Sequence, residues 1–170
     1  MGVVDDIIRD LRNLASPENI ERAGLDAFAE HQKRIFEDGR NADGGIIGKY
    51  STDPLYVNPK NSPRTFSPKG KTGKTKFADG TPHVTRYFPT GYKGFRTAAG
   101  KVNPTVNLKL FGDLSRSYVP GFIGNKYCYG FISDKFDKIA TGNEEHFRTS
   151  VFEASDQEVD IFIESLLEEL

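Results

Sequence analysis

The feature that most constrains this chain is a long interruption. Seven of its nine prolines, Pro54, Pro59, Pro63, Pro68, Pro82, Pro89 and Pro104, fall between Arg40 and Pro104. Proline fixes φ and removes a backbone donor, so a run punctuated this often excludes long helices and central strands. Apolar clusters recur there only at Ile46-Ile47, Leu55-Tyr56-Val57 and Tyr87-Phe88. That pattern predicts short strands or anchors and no second core, with a short helix or turn from Tyr92 to Ala99. A stretch of this length without regular structure is usually functional or disordered until bound. The greatest mobility is expected from Asn58 to Thr81, where lysines are densest.

On either side of the interruption the text is regular. Val4, Ile7, Ile8, Leu11 and Leu14 recur at helical spacing, predicting a helix over Val3–Ala15. Ser16-Pro17 restarts the chain, with Ser16 as N-cap and Pro17 at the first helical position. A second helix is expected from Pro17 to about Asp38, with Ile20, Ala23, Ala27, Phe28, Ile35 and Phe36 inward and Gly39 as a left-handed cap. His31 lies near that apolar stripe and reads as a packed histidine. Ser117–Ile123 and Tyr127–Ser133 read as two strands joined at Gly124-Asn125-Lys126, with Pro120 implying an edge or a bulge. Lys135–Thr141 suits one or two helical turns ending at Gly142, and Phe147–Phe152 reads as extended. Ser155-Asp156-Gln157-Glu158 is a capping box opening a last helix, whose apolar positions are Val159, Phe162, Ile163, Leu166, Leu167 and Leu170. The expectation is one α+β domain over residues 1–170: N-terminal helices, a loop-rich insertion at about 40–104, a small, mostly antiparallel sheet and a C-terminal helix.

The apolar fraction of 36% is below the roughly 45–50% of globular domains, a range that also counts glycine. Thirteen Phe and seven Tyr therefore imply a small aromatic core. The single cysteine, Cys128, excludes an intrachain disulfide and reads as buried in a strand. The opening Met-Gly-Val-Val-Asp-Asp lacks the basic and apolar parts of a signal peptide, and no apolar run approaches a membrane span. The net charge of −1 hides a segregation. Lys60, Arg64, Lys69, Lys71, Lys74, Lys76, Arg86, Lys93, Arg96 and Lys101 face only Asp79 between Asn58 and Pro104. From Glu144 to Leu170 nine acidic residues face only Arg148. Such a molecule can steer partners, and copies of it can pair basic face to acidic face.

No pattern of catalytic, cofactor-binding or metal-ligating residues emerges. Gly70-Lys71-Thr72-Gly73-Lys74-Thr75 resembles the end of a phosphate-binding loop, but Pro68 holds the place of the leading glycine and no strand–loop–helix context surrounds it. His31, His83 and His146 fit no zinc spacing. Ser115 and Ser117 lack a Gly-x-Ser-x-Gly elbow. Lysines interleaved with Phe66, Phe77, Tyr87, Phe88, Tyr92 and Phe95 support a rival reading, a nucleic-acid-binding accessory protein using the basic 58–104 segment.

One further set of segments follows a recognisable order: Arg34-Ile35-Phe36-Glu37-Asp38-Gly39-Arg40, Ile47-Gly48-Lys49-Tyr50-Ser51, Gly91-Tyr92-Lys93-Gly94-Phe95-Arg96, then Leu108-Lys109-Leu110-Phe111-Gly112-Asp113-Leu114-Ser115-Arg116-Ser117. Two strands leading to a residual helix come next, and Phe147-Arg148 with Phe152-Glu153-Ala154-Ser155 opens the terminal helix. In this order the chain resembles the tail-completion and virion-morphogenesis proteins of tailed bacteriophages, among them neck and head–tail joining proteins. Phe111 stands where that family often has Thr, and Ile139-Ala140-Thr141-Gly142 matches its aromatic stretch only loosely. The resemblance implies a noncatalytic virion subunit without cofactors, located in the neck or tail region after assembly in the host cytoplasm. Its implied partners are further copies of itself in a ring, connector or adaptor proteins, and tail-tube or tail-terminator proteins, with incidental DNA contact and no membrane. On that reading Lys69, Lys71, Lys74, Lys76 and Arg86 are candidates for electrostatic docking, and Tyr50, Tyr56, Tyr87 and Phe88 for interface anchors.

Overall fold

The computed structural model of the protein describes residues 3–57, 72–76, 82–101, 105–109 and 112–168. Among these residues are six helices, one extended by a π-helical turn, and two small antiparallel sheets, an α+β fold closing with a helix. The chain divides into two compact units. One comprises Met1–Ile47 with Asn107–Leu170, and the other Gly48–Val106.

The first unit opens with α1 (Val3–Leu14) and α2 (Pro17–Lys33). Ser16 caps α2 as its residue type predicts, its hydroxyl accepting the Asn19 N–H at 3.2 Å, with Pro17 just inside. From Arg34 to Asp38 the helix widens into a π-helical turn, and Gly39 at φ +67° ends it. The widening has a packing consequence. Consecutive residues of an α-helix diverge by about 100°, yet Arg34, Ile35 and Phe36 are all buried.

Gly112, left-handed at φ +84°, starts the short helix α4 (Asp113–Ser117), which feeds directly into β4 (Tyr118–Ile123). A turn at Gly124-Asn125 leads to β5 (Lys126–Phe131), pairing Tyr118 with Phe131 and Ile123 with Lys126. Pro120 sits opposite Tyr129 without a bulge, because in a two-stranded sheet each strand has an open edge. Helix α5 (Asp134–Phe147) runs past Gly142, where a shorter helix is expected from sequence. Its true stop is Arg148 at φ +52°. The Glu144 carboxylate then accepts the Val151 and Phe152 N–H groups at 2.7 and 3.0 Å, so the chain turns back where extended structure is expected. Helix α6 (Asp156–Leu167) opens with the complete Ser155–Glu158 capping box.

The core of this unit is aromatic. Phe28 lies 4.9 Å from Tyr129, Tyr118 4.8 Å from Phe131, and Phe131 5.2 Å from Phe152, between ring centroids. Gly24 lets the hairpin approach α2. A Cβ there would come within 2.0 Å of the Tyr127 ring, and the Tyr129 hydroxyl donates to the Gly24 carbonyl at 3.0 Å.

The second unit has a sheet ordered β1-β3-β2, from β1 (Leu55–Val57), β2 (Thr72–Lys76) and β3 (Pro82–Phe88), followed by α3 (Gly91–Ala98). Phe88, Phe95, Tyr92 and Tyr50 are linked ring to ring at 5.5–5.7 Å, and the Arg96 guanidinium lies 4.3 Å from the Tyr50 ring centre. The insertion thus has short strands, as the sequence allows, and also an aromatic core of its own, where the sequence predicts no second core. Aromatics bury large areas without any periodicity to announce them. Part of the stretch expected to be most mobile, Thr72–Lys76, is a paired strand. The rest of Asn58–Thr81 lies outside the described residues.

Candidate protein-interaction surface

The surface of interest is set by what holds α6 to α2. His31, fully buried, places Nδ1 2.8 Å from one Glu158 carboxylate oxygen and Nε2 3.0 Å from the Tyr118 hydroxyl. Arg34 donates from Nε to the other Glu158 oxygen at 2.6 Å, and from Nη2 to the carbonyls of Val151 and Glu153 at 3.2 and 2.8 Å. Glu158 also accepts the Ser155 N–H at 2.8 Å, so one carboxylate serves both the capping box and the ion cluster. Burial alone pushes the Glu158 carboxyl up. The hydrogen bonds from His31, Arg34 and the Ser155 backbone outweigh it and hold the group down at about 2. Glu158 is therefore ionised, and His31 Nδ1–H donates to it. Burial raises the neighbouring phenols, Tyr118 strongly and Tyr129 to about 12. Every charge in the cluster meets a partner. The cluster fixes geometry.

At the far end of α6 the Ser165 hydroxyl donates to Asp26 at 2.7 Å, and Arg22 donates to the Ser165 carbonyl at 2.8 Å. Glu158 and Ser165 therefore define the face of α6 that turns towards α2. Helical geometry then sets the outer face. Val159, Ile163 and Leu167 recur every fourth residue and are 45%, 47% and 52% exposed. One residue further along lie Asp160, Glu164 and Glu168, continuing from Asp156, all exposed. An apolar row thus runs beside an acidic row. Helix α1 likewise leaves Ile7, Ile8 and Leu11 exposed. Between α1, the start of α2, the hairpin turn and α6 lies an open groove of about 670 Å³, lined by Leu11, Leu14, Ile20, Tyr127, Phe162 and Leu166. Cys128 reaches this groove half-buried.

The residues nominated from sequence fall differently. Tyr56 and Tyr87 face each other across β1 and β3 with ring centres 4.8 Å apart, and Tyr56 is 55% exposed. Phe88 is 6% exposed, packed on Phe95 in the interior of its unit, so burial removes it from the set of surface anchors. Tyr50 is half-buried between Tyr92 and Arg96. Arg86 is half-buried on β3, opposite Val57 and Thr72. Lys74 and Lys76 lie on β2, paired with Val84 and Pro82. Lys69 and Lys71 lie outside the described residues, as does Gly70, while Thr72–Thr75 of the phosphate-loop-like run form antiparallel strand.

Sequence reasoning singles out neither Arg34 nor the second role of Glu158, because their contacts span 124 and 127 residues. The outer row of α6 left no signal of its own. The apolar positions at 159, 162, 163, 166 and 167 follow the i, i+3, i+4, i+7, i+8 spacing of a single core-facing stripe, so the exposure of Val159, Ile163 and Leu167 emerges only from the structure.

Among the described residues no group of three or more His, Cys, Asp and Glu is placed to hold a metal, and no helix is long and apolar enough to cross a membrane. Comparison with protein-family models, with curated proteins and with solved structures finds no match.

Proposed function

We propose that this chain is a noncatalytic structural subunit of the head–tail joining or tail-completion apparatus of a tailed bacteriophage, working as one copy in a ring between connector and tail. The observation that carries the reading is the outer face of α6. Its apolar row, half exposed at Val159, Ile163 and Leu167, is locked outward by the buried His31–Glu158–Arg34 cluster. Apolar rows held outward on a rigid element mark protein–protein contact. The segregation of charge along the chain supports the same reading, since unlike surfaces on identical subunits make the heterologous contacts that close rings. The ordered resemblance in sequence supplies the biological setting.

The test is genetic and structural. Particles assembled without this chain are expected to accumulate as filled heads and separate tails, and supplying the chain in trans restores joined particles. Normal yields of joined, infectious particles in its absence would overturn the proposal.

A further inference from the structure

We infer that the outer face of the β4–β5 hairpin is the docking site for α6 of a second copy of this chain. The inference rests on the ring reading in requiring that copies associate, and adds which two surfaces meet.

Register sorts the hairpin into two faces, because residues paired across it point to the same side and successive residues to opposite sides. Tyr118, Tyr127, Tyr129 and Phe131 form the inner face, with Tyr118 and Tyr129 against Phe28 and Tyr127 against Gly24 of α2. The alternate set faces away from α2: Val119 with Gly130, Gly121 with Cys128, and Ile123 with Lys126. Ile132, whose N–H bonds the Ser117 carbonyl at 2.9 Å just past the strand, continues this set by alternation. Ile123 is 75% exposed, Ile132 67% and Val119 39%.

The two glycines on this face serve no need of the fold. Neither has a left-handed φ, and a Cβ at either would meet nothing within 4 Å. Glycine weakens the interior of a strand, and is characteristic of places where another backbone comes close. Gly121 and Gly130 lie diagonally on the two strands. They make the floor of a trough with Val119 and Ile132 on one side and Ile123 and Cys128 on the other.

The charge at this face specifies what fills it. Lys126 is exposed and forms no ion pair among the described residues, and the hairpin from Tyr118 to Phe131 contains no acid. The occupant is therefore an apolar ridge with negative charge beside it. The outer face of α6 is such a ridge. Val159, Ile163 and Leu167 form one row about 12 Å long. Asp156, Asp160, Glu164 and Glu168 run beside it, exposed and without ion pairs among the described residues. Because the hairpin face and the α6 face differ, each docked copy still presents one of each. The contact therefore propagates head to tail, as a ring requires.

Two variants test the contact from its two sides. Gly121→Val with Gly130→Val fills the trough, and since the added side chains enter open space on a strand, the melting temperature should hold or rise. Asp160→Lys with Glu164→Lys reverses the charge beside the ridge, with circular dichroism confirming that it folds. Sedimentation velocity of the full chain at low salt should show wild-type protein associating with concentration, and each variant alone weakened by about tenfold or more. Mixed, the two variants should form an equimolar dimer and nothing larger. The intact α6 of the trough variant meets the intact hairpin of the charge variant, and the two surfaces left over are both disabled. Ile123→Asp, at an exposed position, should behave as the trough variant does, and replaces it if the valines disturb the hairpin. A wild-type protein that stays monomeric throughout would overturn the inference, as would a mixture that stays monomeric. Association at wild-type strength in either variant alone would refute this contact and leave the ring reading standing.

Discussion

Glu158→Gln isolates the charge that holds α6 in place. Glutamine keeps the size and can still accept the Ser155 N–H, so the capping box largely survives. The change leaves the Arg34 guanidinium and the buried His31 facing a neutral amide. In the folded protein the Glu158 carboxyl is held at about 2, against an ordinary value of 4.5. At roughly 1.4 kcal/mol per pH unit, that depression corresponds to about 3 kcal/mol of stability. Breaking a buried pair by removing one partner costs a similar amount, about 3–5 kcal/mol. The sign follows from the direction of the shift. A depressed carboxyl contributes its full stabilisation above the unfolded value, near pH 4.5, and loses it as pH falls towards 2. Urea denaturation followed by circular dichroism at pH 7, 4.5 and 2.5 measures both effects. The variant should be less stable by about 3 kcal/mol at pH 7, and its stability should fall less steeply than wild type between pH 4.5 and 2.5. A loss under about 1 kcal/mol at pH 7, or an acid slope equal to that of wild type, would refute the account of this cluster.

Gly24→Ala should destabilise the protein in thermal melts, although alanine favours helix by about 1 kcal/mol, because the added Cβ meets the Tyr127 ring. A raised melting temperature would show that the hairpin does not approach α2 so closely. Ser155→Ala removes the other half of the capping box and should cost about 1 kcal/mol in denaturant melts; no change would mean that Glu158 alone fixes the start of α6. Alkaline titration followed by tyrosine absorbance should show a class of phenols, Tyr118 and Tyr129, ionising well above pH 10. Their raised values mean that stability is intact below about pH 10 and declines as pH rises towards 12. A single tyrosine transition near pH 10 in the folded protein would contradict their burial.

Local rules made much of the first unit legible. Ser16-Pro17, Gly39 and Ser155–Glu158 are punctuation whose physics is contained within a few residues, and the structure places helix boundaries at each. The Gly124-Asn125 hairpin follows for the same reason. Contacts between distant residues were not legible. Nothing near His31 announces Glu158, and the aromatic cluster of Tyr50, Phe88, Tyr92 and Phe95 draws on residues separated by proline and glycine without any period. The end of α5 was hidden because Gly142 looks like a stop and Arg148 does not, yet an exposed glycine is tolerated inside a helix whose far end is held by Glu144. For the candidate surface, the sequence contains the apolar and acidic rows of α6, but that the apolar row lies exposed beside the acidic one depends on the buried cluster.

The central claim is that this chain is a virion structural subunit. Quantitative mass spectrometry of purified particles produced with the chain tests it most directly. The account predicts that the chain co-purifies with joined particles at a fixed small copy number per particle, as a ring subunit must. Its absence from purified particles, or an amount that falls away on further purification, would contradict the claim.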